Sequence, residues 1–76
     1  MYGYRHYRFS MQLGRDELLA VYGGAIRRIR VRTDEGLVLD IDAEHLKRFT
    51  TNDGISGYFE LTVTPENKFV SLEKLD

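Results

Sequence analysis

Period-two alternation of apolar and polar side chains recurs along this chain, and that recurrence restricts its fold more than any other feature. In "YRFSMQL", Tyr7, Phe9, Met11 and Leu13 point one way, while Arg8, Ser10 and Gln12 point the other. In "IRRIRVRTDEGLVLDID", Ile29, Val31, Leu37, Leu39 and Ile41 face in; Arg28, Arg30, Arg32, Asp40 and Asp42 face out. "ISGYFELTV" gathers Ile55, Phe59, Leu61 and Val63 on one side, and "FVSLEKL" returns along it. Successive side chains of a strand point to opposite faces, so these stretches predict half-buried strands.

Turn chemistry sets how the strands pair. Asp34-Glu35-Gly36 closes the first hairpin, with Gly36 free to adopt positive φ. A three-residue loop pairs Thr33 with Leu37, which sets Arg30 opposite Asp40 and Arg28 opposite Asp42. Opposite charges across a strand pair stabilise it modestly. "TPENK" turns the second hairpin. A four-residue loop over 65–68 puts Val63 opposite Val70 and Leu61 opposite Leu72. A slip by one residue would turn the apolar set outward.

Two helical segments interrupt the strands. "GRDELLAVYGG" opens at Gly14 and carries Asp16 and Glu17 in its first turn, where the helix dipole favours anions. Leu18, Leu19 and Tyr22 share a stripe, and Gly23-Gly24 ends the helix. "DAEHLKRF" gives a shorter helical turn, capped by Asp42, with Ala43, Leu46 and Phe49 on one face. The order is therefore β-α-β-β-(short α)-β-β. It predicts an α+β fold: a small five-stranded, mainly antiparallel, curled sheet with one short helix after strand 1 and a helical turn before strand 4. An SH3-like or Sm-like small barrel is the alternative. The predicted core is Phe9, Met11, Leu18, Tyr22, Ile29, Val31, Leu39, Ile41, Leu46, Phe49, Phe59, Leu61 and Leu72.

Size and composition narrow the function. At 76 residues the chain has room for one small domain, taken as 1–76. It has no cysteine, so neither disulfides nor thiolate metal sites are available, and His6 and His45 are far apart in sequence. No cofactor or metal is expected. No apolar run is long enough to cross a bilayer, and the chain opens without the apolar stretch of a signal peptide, so a cytoplasmic protein is expected.

Charge is distributed unevenly. Residues 1–32 carry seven basic and two acidic side chains, net +5, whereas residues 33–76 carry four and ten, net −6. Such a chain can bind a polyanion with one half. Strand pairing mixes the halves of a small domain, which favours their neutralising each other.

At "DELLAVYGG", "LKRFTTNDGISGYFELT" and "NKFVSLEKL" the chain resembles a small bacterial family of single-domain proteins of about this length, catalogued as a domain of unknown function. The matching positions are Glu17, Leu18 or Leu19, Tyr22 and Gly23, then Asp53, Gly54, Ile55, Gly57, Phe59 and Leu61. The resemblance implies one fold unit and a bacterial, cytoplasmic setting. It implies no activity.

No motif assembles a nucleophile with a base. Ser10, Ser56 and Ser71 lie in strands, and "GISG" lacks the lysine and helix of a phosphate loop. A non-enzymatic protein is expected. Two groups of residues remain. Tyr2, Tyr4, His6 and Arg8 lie together on the exposed face of the first strand and suit an interaction surface, because Tyr and Arg favour interfaces. Arg27, Arg28, Arg30 and Arg32 exceed the two aspartates opposite them and could contact a phosphate backbone. A protein-interaction or accessory module that binds a protein partner or forms a homodimer is the preferred reading. RNA or single-stranded DNA binding through the arginine-rich hairpin and the N-terminal rings is the alternative.

Overall fold

The computed structural model describes residues 3–76. In chain order it holds β1 (Arg5–Leu13), α1 (Arg15–Tyr22), β2 (Arg28–Arg32), β3 (Val38–Asp42), a 3-10 helix (Ala43–Phe49), β4 (Ile55–Val63) and β5 (Phe69–Lys74). Every strand pair is antiparallel. The expected single sheet is divided: β1-β4-β5 form one sheet and β2-β3 form a second. The two do not close into a barrel. They are joined at one corner, where the Asp34 N–H donates to the Arg8 carbonyl at 2.8 Å and the Tyr58 hydroxyl donates to the Asp34 carboxylate.

The core lies where the apolar faces of both sheets meet α1 and the 3-10 helix. Phe9 and Phe59 sit opposite each other in register and are 0% exposed. Their rings stack with centroids 5.8 Å apart, and Phe49 meets Phe59 edge-on at 5.2 Å. Ile29, Val31 and Ile41 close the core from the second sheet, Leu18 and Val21 from α1, and Ala43 and Leu46 from the 3-10 helix. Leu39 and Phe49, expected in this core, are half-buried against it.

Tyr22 is not core; it is 51% exposed, and so is most of Leu19. On an eight-residue helix the inward positions are Leu18 and Val21, three apart. Tyr22 lies past them, its hydroxyl donating to Thr50 Oγ1 at 3.1 Å and its ring 5.4 Å from Lys47 Nζ. Gly54 is needed for close approach. Its φ is +120°, and a Cβ there would lie 2.0 Å from the Leu13 carbonyl oxygen.

Both hairpins have instructive registers. In the first, Arg30 faces Asp40, Arg28 faces Asp42, and Gly36 takes φ +91° in the turn. Asp42 ends β3 and also caps the 3-10 helix, accepting from the Glu44 N–H at 3.0 Å. In the second, the four-residue loop is replaced by a shorter one. Thr64 N–H donates to the Lys68 carbonyl at 2.9 Å, and Asn67 closes the turn with φ +68°. Val63 therefore faces Phe69 and not Val70. A register shift then leaves Val70 unopposed and restores Leu61 to Leu72. The bulge performs the adjustment expected of the loop.

Candidate interaction surface

The opening strand exposes the face expected of it. Phe9 and Met11 point into the core, so the alternation turns His6 and Arg8 outward, and Tyr4 precedes them at 59% exposure. Tyr2 lies outside the described residues. The arginine of this face is engaged within the sheet. Arg8 faces Glu60 across the β1-β4 pair, with Nε 3.1 Å from Oε2. That hydrogen bond, with the carboxylate's charge, raises the Arg8 pKa above its ordinary value. His6 Nδ1 lies 3.0 Å from Thr62 Oγ1. A face whose arginine already serves a carboxylate holds little charge in reserve for phosphate.

The hairpin arginines behave differently. Arg28, Arg30 and Arg32 alternate outward along β2, and Arg27 is exposed just before it. Arg30 Nε pairs with Asp40 Oδ1 at 3.2 Å. Arg28 faces Asp42, whose carboxylate accepts from the Glu44 N–H. Arg32 faces Val38. Among the described residues Arg27, Arg28 and Arg32 form no ion pair. The turn after β2 meets β1 at Arg8, so the two candidate groups approach each other at that corner, with Arg27 and Arg28 at the far end of the hairpin.

A third surface was missed in the sequence. Leu37 and Val38, at the start of β3, are 48% and 50% exposed. Leu37 was expected to face in, but it stands exposed opposite Thr33, just before β3 begins. The signal was present in three consecutive apolar residues, Leu37, Val38 and Leu39. On a strand the middle one must face out.

Backbone polarity decides which groups of β3 are open to a further strand. Hydrogen-bonded and non-hydrogen-bonded pairs alternate along an antiparallel ladder. The Thr33 N–H donates to the Leu37 carbonyl at 2.8 Å, and the Ala43 N–H to the Arg27 carbonyl at 2.9 Å. Both ends of the hairpin therefore agree that Arg30-Asp40 and Arg32-Val38 are non-hydrogen-bonded pairs. The N–H and C=O groups of Val38 and Asp40 point away from β2, along an open edge. At β5 the Leu75 N–H donates to the Tyr58 carbonyl at 2.7 Å, which by the same alternation turns the Leu72 carbonyl outward. There the Arg48 guanidinium donates to it, and His45 stacks on Phe69 with centroids 3.6 Å apart. The 3-10 helix thus covers the β5 edge at Leu72. His45 is half-buried in that contact.

Two clefts border the 3-10 helix. A cleft of about 300 Å³ lies between the end of α1 and the 3-10 helix, with Tyr22, Arg27 and Lys47 in its wall. Lys47 is held there by Glu44 at 2.7 Å, which raises its pKa. A second cleft, of about 180 Å³, separates the Asp42 end of β3 from Asn67 and Phe69. Among the described residues no three His, Asp or Glu side chains gather as metal ligands, and no helix is long and apolar enough to cross a membrane.

No curated protein and no solved structure matches this chain. One family model does match, over residues 5–75, under the description "Protein of unknown function (DUF2835)".

Proposed function

The chain belongs to that family, whose description assigns no activity, and we propose from the residues alone that it is a small, non-enzymatic protein-interaction module that self-associates. One observation carries this reading. The cation of the opening face is already matched by Glu60, while large apolar side chains stand exposed beside an open strand edge at Leu37 and Val38. Unpaired edges with apolar neighbours are the usual template for strand-mediated association. Tyr4, at the start of β1, adds an exposed ring that a protein partner can bury.

Nucleic-acid binding is kept as a second reading on a separate observation: Arg27, Arg28 and Arg32 lack carboxylate partners among the described residues. Sedimentation across a range of concentration and salt, with a parallel binding assay on an RNA and single-stranded DNA pool, separates the two. The expected result is self-association that depends on concentration and little on salt, because apolar burial is not screened. A monomer at every concentration that binds the pool with steep salt dependence would overturn the proposal in favour of phosphate recognition.

A further inference from the structure

We infer that the second copy docks on the β3 edge, antiparallel to the first, with Val38 of each chain hydrogen-bonded opposite Asp40 of the other. The inference rests on the self-association proposed above and specifies its surface and register. Only groups that point outward can form the new ladder, and on β3 these belong to Val38, Asp40 and Asp42. A two-fold axis between copies then permits few registers. Placing the axis at Asp40 would set Asp40 against its own copy, which like charge disfavours. Placing it at Leu39 pairs Val38 with Asp40 twice and makes four backbone hydrogen bonds.

Both faces of the resulting four-stranded sheet suit that register. On the inner face Leu39 meets Leu39 of the second copy, and the half-exposed Leu37 meets Ile41 of the second copy. On the outer face one row reads Arg30, Asp40, Val38 of the second copy and Arg32 of the second copy. Arg32 has no ion pair among the described residues. In the dimer it lies two strands from an aspartate, about 10 Å between backbones, and the long arginine side chain can lean across Val38 toward that carboxylate. Each copy gives and receives this contact, as a two-fold interface requires. Gly36 comes opposite Asp42, at the mouth of the cleft beside Phe69, and brings no side chain to obstruct it.

Amide hydrogen exchange of the full chain, read residue by residue at low and high concentration, tests the inference. The Val38 and Asp40 amides should slow as concentration rises, together with loss of the monomer in sedimentation. Val38→Asp should weaken the dimer about tenfold or more, because two like-charge pairs form across the axis at once. Its fold should persist, since the new carboxylate faces Arg32 within its own hairpin. Val38→Thr, which brings no charge and keeps a β-branched side chain, should leave the dimer intact. Self-association with protection elsewhere, or equal dimers in Val38→Asp and wild type, would overturn the register while leaving the self-association reading standing. A monomer throughout would overturn both.

Discussion

The Tyr58 hydroxyl donates a hydrogen bond to the Asp34 carboxylate, and this contact ties the three-stranded sheet to the turn of the two-stranded one. The same aspartate sends its backbone N–H to the Arg8 carbonyl. One turn residue therefore holds the corner from both its backbone and its side chain. The hydrogen bond to Asp34 raises the Tyr58 pKa above the ordinary tyrosine value of 10.0, with lost hydration and the carboxylate's charge acting in the same direction.

A titration prediction follows from that shift. A folded-state pKa above the unfolded one adds stability that is complete below the unfolded value and is lost as pH rises through the folded one. Wild type should thus lose stability relative to Tyr58→Phe only in the alkaline range. Absorbance titration of wild type minus Tyr58→Phe should place the Tyr58 ionisation above the usual range. Asp34→Asn should move it back; an unmoved ionisation would mean that Asp34 does not hold the phenol.

Phe59 is the most demanding core position. It is 0% exposed and touches two other rings. Phe59→Ala should cost roughly 3–5 kcal/mol through lost burial and the cavity left behind. Chemical denaturation reads this directly, and a small domain has little more stability than that to lose.

Two glycines with positive φ should respond differently to alanine. At Gly36, φ is +91° and no atom lies within 4 Å of a new Cβ, so Gly36→Ala meets backbone strain alone. That strain is about 1–2 kcal/mol. At Gly54 the new Cβ would also meet the Leu13 carbonyl oxygen, which lies in the β1 backbone and cannot swing away. Gly54→Ala should be the more damaging by denaturation midpoint, and equal midpoints would contradict the close approach.

The exposed Arg30-Asp40 pair should matter little to folding. Exposed ion pairs contribute roughly 0–1 kcal/mol. A double-mutant cycle with Arg30→Ala and Asp40→Ala should return a coupling in that range, and the corresponding cycle for Arg28 and Asp42 a smaller one, since Asp42 also caps the 3-10 helix.

What could be read in the sequence was local. The first hairpin is legible because loop length, Gly36 and opposed charges agree, and its register is as expected. The second is legible only in part. Its Leu61-Leu72 pairing is right, but a positive φ at Asn67 and a bulge at Val70 can substitute for a longer loop, and nothing in the spacing distinguishes them. Division into two sheets depends on how β1 and β2 diverge, a long-range property that alternation does not encode. Tyr22 illustrates the same limit on a helix: with so few residues, rotation about the axis is chosen by the packing partners. The outward faces of β1 and β2 were legible. The open edge of β3 was not, because which strand lacks a neighbour follows from topology.

Arg48 places a side chain where a further strand would need a backbone group of β5. A protein with two accessible strand edges has a valence of two and adds copies without end, as filaments do. Here the Arg48 guanidinium occupies the Leu72 carbonyl, one of the groups that β5 turns outward, and so makes that edge a poorer template for a further strand. A short helix that belongs to neither sheet thus shields part of a sheet edge.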